Sequence, residues 1–401
     1  MRKTITIGDL GTVITGKTPP TTNKNYYGDY AVFIKPTDIS ESCKFTYETE
    51  EMYSKVAAEK YSSSLIPKGA ICVPCIGTIG TKMTMTHCAC FTNQSINSIV
   101  CNDKYDNEYV YYLIKNFLPD LKSYNKGTAS GREYVSKSSF ESIELQAEQD
   151  IDIQRKIGQI LSRYDALIEN YQRQIKLLEE TAQRLYKEWF VDLRFPGHQS
   201  TPIINNLPQS WQKKKLTEIV KTTSGGTPSR GKPEYYTGDI LWVKTKELND
   251  SFILDTEEKI SIEAINKSSA KILPSGSVLL AMYGATIGKL GIASKKMACN
   301  QACCVFLFDD NDVFRWFLYN WLIINRSFLI SQGKGAAQPN LSQDMIKNFE
   351  TIIPDTPLLE KFNHIVNPLY ERIKNAQIQI RNLSEARDRL LPKLMSAEIE
   401  V

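Results

Sequence analysis

Nowhere in its 401 residues does the chain hold an apolar window approaching about twenty residues, so no segment is suited to cross a bilayer as a helix. Its first stretch, MRKTITIGDLGTVITG, has two basic residues but no continuous apolar run, and it is not expected to act as a secretory signal. Histidine is scarce, with three in all, and none pairs with another when the two halves of the chain are laid over one another. Acid–base catalysis by imidazole therefore has little to stand on. An excess of one charge is also missing: 49 Lys and Arg against 45 Asp and Glu leave a net +4. Any affinity for nucleic acid must come from local basic patches. The nine cysteines are odd in number and mostly sit in apolar runs such as Ile71-Cys72-Val73 and Ala302-Cys303-Cys304-Val305. They are expected to be reduced thiols of a cytoplasmic protein.

What remains is ordinary globular composition, 42% hydrophobic and 23% charged, in a chain long enough for two or three domains. Residues 153–190 contain no proline and no glycine after Gly158. Their apolar positions form two rows of heptad spacing: Ile157, Tyr164, Tyr171, Leu178, Leu185 and Leu161, Ile168, Ile175, Ala182, Trp189. This is the pattern of a coiled-coil seam on a helix of about 55 Å. A second such pattern closes the chain over residues 362–394, with rows Phe362, Leu369, Ala376, Leu383, Leu390 and Val366, Ile373, Ile380, Arg387, Leu394. Only Arg387 breaks the apolar rule. Pro368 is expected to kink this helix or delay its regular start.

The residues before each helix match one another. Gly16, Thr18 and Pro19 correspond to Gly225, Thr227 and Pro228, and Tyr26-Tyr27 to Tyr235-Tyr236. Gly77-Thr-Ile-Gly80 corresponds to Gly284-Ala-Thr-Ile-Gly288, Asn93-Gln94 to Asn300-Gln301, and Lys126-Gly127 to Lys334-Gly335. The offset, which stays near 205 to 210, describes a tandem duplication of globular domain plus helix. Short β-like runs at 31–35, 70–75 and 98–101, and at 240–243, 277–282 and 303–308, lie between Gly and Pro punctuation. Helices are expected at 107–117 and 312–324. The fold class is therefore α+β: two similar mixed α/β domains separated by two long helices that pair as an antiparallel coiled coil, with an internal pseudo-twofold repeat. The expected limits are 1–150 for the first domain, 151–191 for its helix, 192–212 for a proline-bearing linker, 213–356 for the second domain and 357–401 for its helix.

Most residues shared by the halves suit loops, and Pro67, Gly69, Pro274 and Gly276 read as turn punctuation. The amides of Asn93, Gln94, Asn300 and Gln301 are of the type that reads adenine edges. The loops with Thr78 and Lys82, and with Tyr283, Thr286 and Lys289, combine glycines that admit close backbone approach with a lysine that can meet phosphate. Lys35, Thr37, Lys126, Arg132, Lys244, Thr245, Lys246 and Lys334 extend this polar and basic surface. Each alone reads more often as a solvated face, and recurrence at matched positions is what makes them candidates. Catalytic motifs fail on inspection. Gly284-Ala-Thr-Ile-Gly-Lys289 has three residues between its glycines where a phosphate loop has four, and Leu290 stands where Ser or Thr would hold magnesium. Cys72, Cys75, His87, Cys88 and Cys90 are of zinc-binding type, yet Leu279 and Met282 occupy the positions matching Cys72 and Cys75. No catalytic and no metal site is assigned.

The motifs Gly-Gly-Thr-Pro-Ser at 225–229, Tyr-Tyr-Thr-Gly-Asp-Ile-Leu-Trp-Val at 235–243, Gly-Ala-Thr-Ile-Gly-Lys at 284–289 and Trp-Phe-Val-Asp-Leu-Arg-Phe-Pro-Gly at 189–197 resemble the specificity subunit (HsdS) of type I restriction-modification systems. The resemblance covers essentially the whole chain. It implies a non-catalytic DNA-recognition subunit, each domain reading one half of a bipartite, asymmetric site in double-stranded DNA. It further implies helices that set the spacing and dock two methyltransferase (modification) subunits, to which restriction/translocase subunits are added. S-adenosylmethionine, ATP and Mg²⁺ would be bound in those partners and no cofactor by this chain. The alternative is a coiled-coil scaffold whose globular ends bind proteins and not nucleic acid.

Overall fold

The computed structural model describes residues 2–125, 133–309, 312–333 and 340–401. The chain divides into two compact units, Met1–Asn170 with Ile380–Val401, and Tyr171–Gln379. Each unit thus owns part of both long helices. Among the described residues no helix is long and apolar enough to cross a membrane.

In the first unit, β1 (Arg2–Thr6), β2 (Gly11–Thr15), β3 (Ala31–Ile34), β4 (Ile71–Pro74), β5 (Thr84–Met85), β6 (Phe91–Thr92) and β7 (Ile96–Cys101) precede α1 (Asn107–Phe117) and β8 (Glu144–Glu148). The main sheet runs β2-β7-β4-β5, antiparallel throughout. Strand β4 is buried along its whole length because both faces are covered. Ile71, Val73 and Ile99 face a cluster with Tyr109 and Leu113 of α1, whereas Cys72 and Ile96 face one with Ile34, Ile39 and Ile66. Asp106 caps α1 by accepting from the Tyr109 N–H at 3.0 Å. Strand β1 pairs with β8, which leads directly into the long helix α2 (Ile151–Tyr186). Buried Gln154 fastens that junction: it donates to the Glu148 carbonyl at 2.8 Å and accepts from the Asp106 N–H at 2.8 Å.

The second unit repeats this plan with β9 (Gln212–Lys215), β10 (Lys221–Ser224), β11 (Ile240–Val243), β12 (Ser251–Ile253), β13 (Val278–Ala281), β14 (Leu290–Ala293), β15 (Ala298–Cys299), β16 (Cys303–Leu307), α3 (Phe314–Ile324) and β17 (Glu350–Ile353), followed by the long helix α4 (Thr356–Ser396). Its main sheet runs β10-β16-β13-β14-β12, and β9 clasps β17 as β1 clasps β8. Between Pro196 and Trp211 the chain forms a small hairpin, Ile203–Ile204 with Leu207–Pro208, turned by Asn205 and Asn206 at φ +51° and +64°. Asparagine tolerates that left-handed geometry better than other side chains.

In both units the long helices run antiparallel. Ile157, Leu161 and Asp165 lie with Leu394, Leu391 and Arg387 in the first, where one number rises as the other falls. In the second, Tyr186 and Phe190 meet Phe362, with Phe190–Phe362 centroids 4.9 Å apart. A π-turn over Lys187–Val191 ends α2 and drives Trp189 and Phe190 into the core. The Trp-Phe motif is thus a packing device. One expectation is corrected, a delayed start of α4. It begins at Thr356 and continues through Pro368, which faces solvent, so that the carbonyl left without a partner one turn earlier can be hydrated. Arg387, the break in the apolar rows, lies in the seam. It is buried and paired with buried Asp165, which also accepts from the Tyr112 hydroxyl of α1.

Candidate nucleic-acid interface

In each unit two parallel strand ends carry the matched loop residues. Strands β3 and β6 pair through Phe33–Phe91 and Ile34–Thr92, and the Asn93 N–H then donates to the Ile34 carbonyl at 3.1 Å. Lys35 and the Asn93-Gln94 turn are therefore adjacent. In the second unit β11 and β15 pair through Trp242–Ala298 and Val243–Cys299, and the Asn300 N–H donates to the Val243 carbonyl at 2.9 Å. This places Lys244 beside Asn300-Gln301. The glycine-bearing loops attach next to the same turns: the Cys75 N–H donates to Ser95 at 2.7 Å, and the Met282 N–H to Ala302 at 2.9 Å. The structure so gathers Lys35, Asn93, Gln94 and the loop with Thr78 and Lys82 in one unit, and Lys244, Asn300, Gln301 and the loop with Tyr283, Thr286 and Lys289 in the other.

The matched Gly-x-Thr-Pro loop completes each cluster. Gly16 approaches the Thr92 carbonyl so closely that a Cβ would sit 2.1 Å from its oxygen, and Gly225 approaches Cys299 at the same 2.1 Å. No other residue fits there without moving the backbone. The approach brings Thr18 onto Gln94 and Thr227 onto Gln301, each hydroxyl donating to the glutamine Oε1. The Tyr27 hydroxyl secures the first loop at the Pro19 carbonyl, 2.8 Å, and Tyr236 the second at Pro228, 2.7 Å.

The two amides of each turn have different tasks. The Oδ1 of Asn93 accepts from the Ser95 N–H at 3.0 Å, and that of Asn300 from the Ala302 N–H at 3.1 Å. Both asparagines shape their own turns, whereas Gln94 and Gln301 are exposed. The lysines are less free than their type suggested. Lys35 binds Glu50 at 2.7 Å and Glu51 at 3.2 Å, Lys244 binds Glu257 at 2.7 Å and Glu258 at 3.4 Å, and Lys246 also pairs with Glu257. Burial opposes the charge of Lys35, but the hydrogen bonds to Glu50 and Glu51 outweigh it and raise its pKa. The bonds from Lys244 and Lys246 pull the Glu257 carboxyl down to about 2. Lys289 is held by Asp250 at 2.9 Å. Such lysines meet a phosphate only by leaving a carboxylate, an exchange that costs little where the carboxylate is exposed. Lys82 is half-buried and, among the described residues, forms no ion pair; Thr37 and Thr78 are exposed, Thr245 and Thr286 half-buried, and Tyr283 is 37% exposed. Lys126, Arg132 and Lys334 lie outside the described residues.

The family model for the type I restriction modification DNA specificity domain matches residues 2–180 and again 208–382. The chain belongs to this family. It is 29% identical over 410 aligned positions to the type I restriction enzyme MjaIX specificity subunit of Methanocaldococcus jannaschii, covering 98% of this chain and 93% of that one. It is 35% identical to the HindI specificity subunit of Haemophilus influenzae over 199 residues, 48% of this chain and 42% of that one. The fold resembles the crystal structure of the type I restriction-modification system S subunit from M. genitalium, with a TM-score of 0.62 at 16% identity, covering 98% and 96% of the two chains. The two family matches each take in one globular domain and part of a long helix, so the specificity domain as a family unit is the duplicated unit found here. Sequence reasoning passed over Thr18 and Thr227 as site residues, although both stood in the matched Gly-x-Thr-Pro loops that aligned the halves.

Proposed function

We propose that this chain is the DNA-reading subunit of a type I restriction-modification complex, each globular domain reading one half of a bipartite, asymmetric site. The observation that carries this is the double occurrence of one loop cluster on two diverged copies of the family's domain. Diverged readers imply two different half-sites and no palindrome. Backbone contacts from lysines released by their carboxylates supply affinity, and side-chain contacts to base edges supply specificity. The helices hold the spacing and offer their outer faces to two methyltransferase subunits, with restriction/translocase subunits added to these. S-adenosylmethionine, ATP and Mg²⁺ belong to the partners, and this chain performs no catalytic step. All nine cysteines are free thiols, in keeping with a cytoplasmic protein.

The test is binding of duplex DNA by the chain assembled with its methyltransferase subunits, measured across a salt series, with mapping of the methylated positions. Affinity falling steeply with salt and a two-part methylated motif are expected. Absent or salt-independent binding would favour the protein scaffold. Deleting one heptad from α2 should alter the gap between half-sites and leave the bases unchanged.

A further inference from the structure

We infer that Thr18 and Thr227 are positioning residues for base reading: each hydroxyl holds the neighbouring glutamine, Gln94 or Gln301, with its NH₂ group free to donate to an acceptor on a base-pair edge. The inference deepens the proposed DNA-reading role and rests on it.

An unrestrained glutamine presents either end of its amide, and so matches several base edges equally. Here the Thr18 hydroxyl, with one proton to give, donates to Gln94 Oε1, and Thr227 does the same to Gln301 Oε1. Neither Nε2 has a partner among the described residues, and both glutamines are exposed. With Oε1 turned to the threonine, as it is in both copies, the outward group is a donor, complementary to purine N7, guanine O6 or thymine O4 in the major groove, and unfavourable opposite the amino groups of adenine or cytosine.

The threonine is itself fixed. Its loop is seated by the close approach of Gly16 or Gly225, by the Lys17 N–H on the Thr92 carbonyl at 2.9 Å or the Gly226 N–H on Cys299 at 2.9 Å, and by Tyr27 or Tyr236. The neighbouring asparagine is half-buried with its Oδ1 engaged in its own turn, whereas the glutamine is exposed, which makes the glutamine the more accessible amide. The surrounding residues differ between the copies, with Lys17 against Gly226, Pro20 against Ser229 and Ser95 against Ala302, while the threonine–glutamine contact is present in both. Packing alone gives no reason to keep a hydrogen bond between two exposed side chains, since such a bond adds little stability.

The experiment uses the assembled complex with methyltransferase subunits and a panel of duplexes carrying each single base-pair change in the methylated motif. Thr18→Val should lower discrimination at one base pair of one half-site by roughly 3- to 10-fold, the worth of one oriented hydrogen bond. Thr18→Ser should retain discrimination, and Thr18→Val with Gln94→Ala should be no worse than Gln94→Ala alone. Thr227→Val should act in the same way on the other half-site only. Thermal unfolding of each variant confirms that it is folded. Full discrimination in Thr18→Val and Thr227→Val, loss in the serine variants equal to that in the valine variants, or uniform weakening on every duplex, as a phosphate contact gives, would each overturn the inference. A wild-type complex that shows no motif at all would instead overturn the DNA-reading role itself.

Discussion

Arg387 provides the sharpest energetic test of the fold. Its side chain is 7% exposed and that of Asp165 4%. Asp165 accepts from Arg387 and from the Tyr112 hydroxyl, while Arg387 also bonds Asp388 at 2.9 Å. Burial works against the arginine's charge, but the hydrogen bonds and charges of Asp388 and Asp165 overcome it and raise its pKa. Arg387→Met would strand the carboxylate in the core with one hydroxyl, at a cost of about 3–5 kcal/mol. Asp165→Leu with Arg387→Met removes both charges and leaves only the Tyr112 hydroxyl without its acceptor, a cost of about 1 kcal/mol offset by the apolar packing gained. Urea unfolding of the full chain separates the two units, because all five tryptophans, Trp189, Trp211, Trp242, Trp316 and Trp321, lie in the second. Tryptophan emission reports that unit, and far-UV circular dichroism reports both. Arg387→Met should move the dichroism transition of the first unit down by on the order of 1–2 M urea and leave the emission transition in place. The double variant should return it to within about 0.5 M of wild type. Additive single and double effects, each within about 1 kcal/mol of wild type, would refute a coupled buried pair.

The second unit offers a pH-dependent counterpart at Glu179, whose pKa is raised to about 7 by burial first and then by the charges of Asp250 and Glu180. The folded state holds that proton more tightly than the unfolded one, so stability should fall as pH rises from about 4.5 to about 7 and level off above. Glu179→Gln should exceed wild type by about 1–2 kcal/mol at pH 8, after allowing for partial exposure, and show no advantage at pH 4, read by tryptophan emission in urea. Gly225→Ala forces a Cβ to 2.1 Å from the Cys299 carbonyl oxygen and should cost the second unit about 1–3 kcal/mol in the same assay. Gly231→Ala, whose nearest neighbour is Ser229 Oγ at 3.7 Å, should stay within about 0.5 kcal/mol.

Much of the fold was legible because its signals are local and repeated. Heptad rows identified both long helices, and apolar runs located β3, β4, β11, β13 and β16 to within a residue or two of their observed limits. Strand β9, Gln212–Lys215, was not legible: three consecutive lysines give no apolar alternation, and the strand forms only because β17 offers a hydrogen-bonding edge. The candidate site was legible as a set of matched residues but not as a division of labour. Asn93 and Gln94 look alike as amides, and only the turn geometry shows that one closes a backbone loop while the other faces out. Likewise nothing local to Lys35 or Lys244 announces Glu50, Glu51, Glu257 and Glu258 as partners.

The sequence by itself determined the duplication, the period of the helices and the residue types brought to each loop cluster, since these are properties of spacing along the chain. Tertiary structure decided which charges are spoken for and which side chains hold others in place. Arg387 shows the difference: in sequence it is a flaw in an apolar row, and its partner Asp165 lies 222 residues away. Only the antiparallel pairing brings the two together, because a buried charge is tolerated where folding delivers its counter-charge and nowhere else.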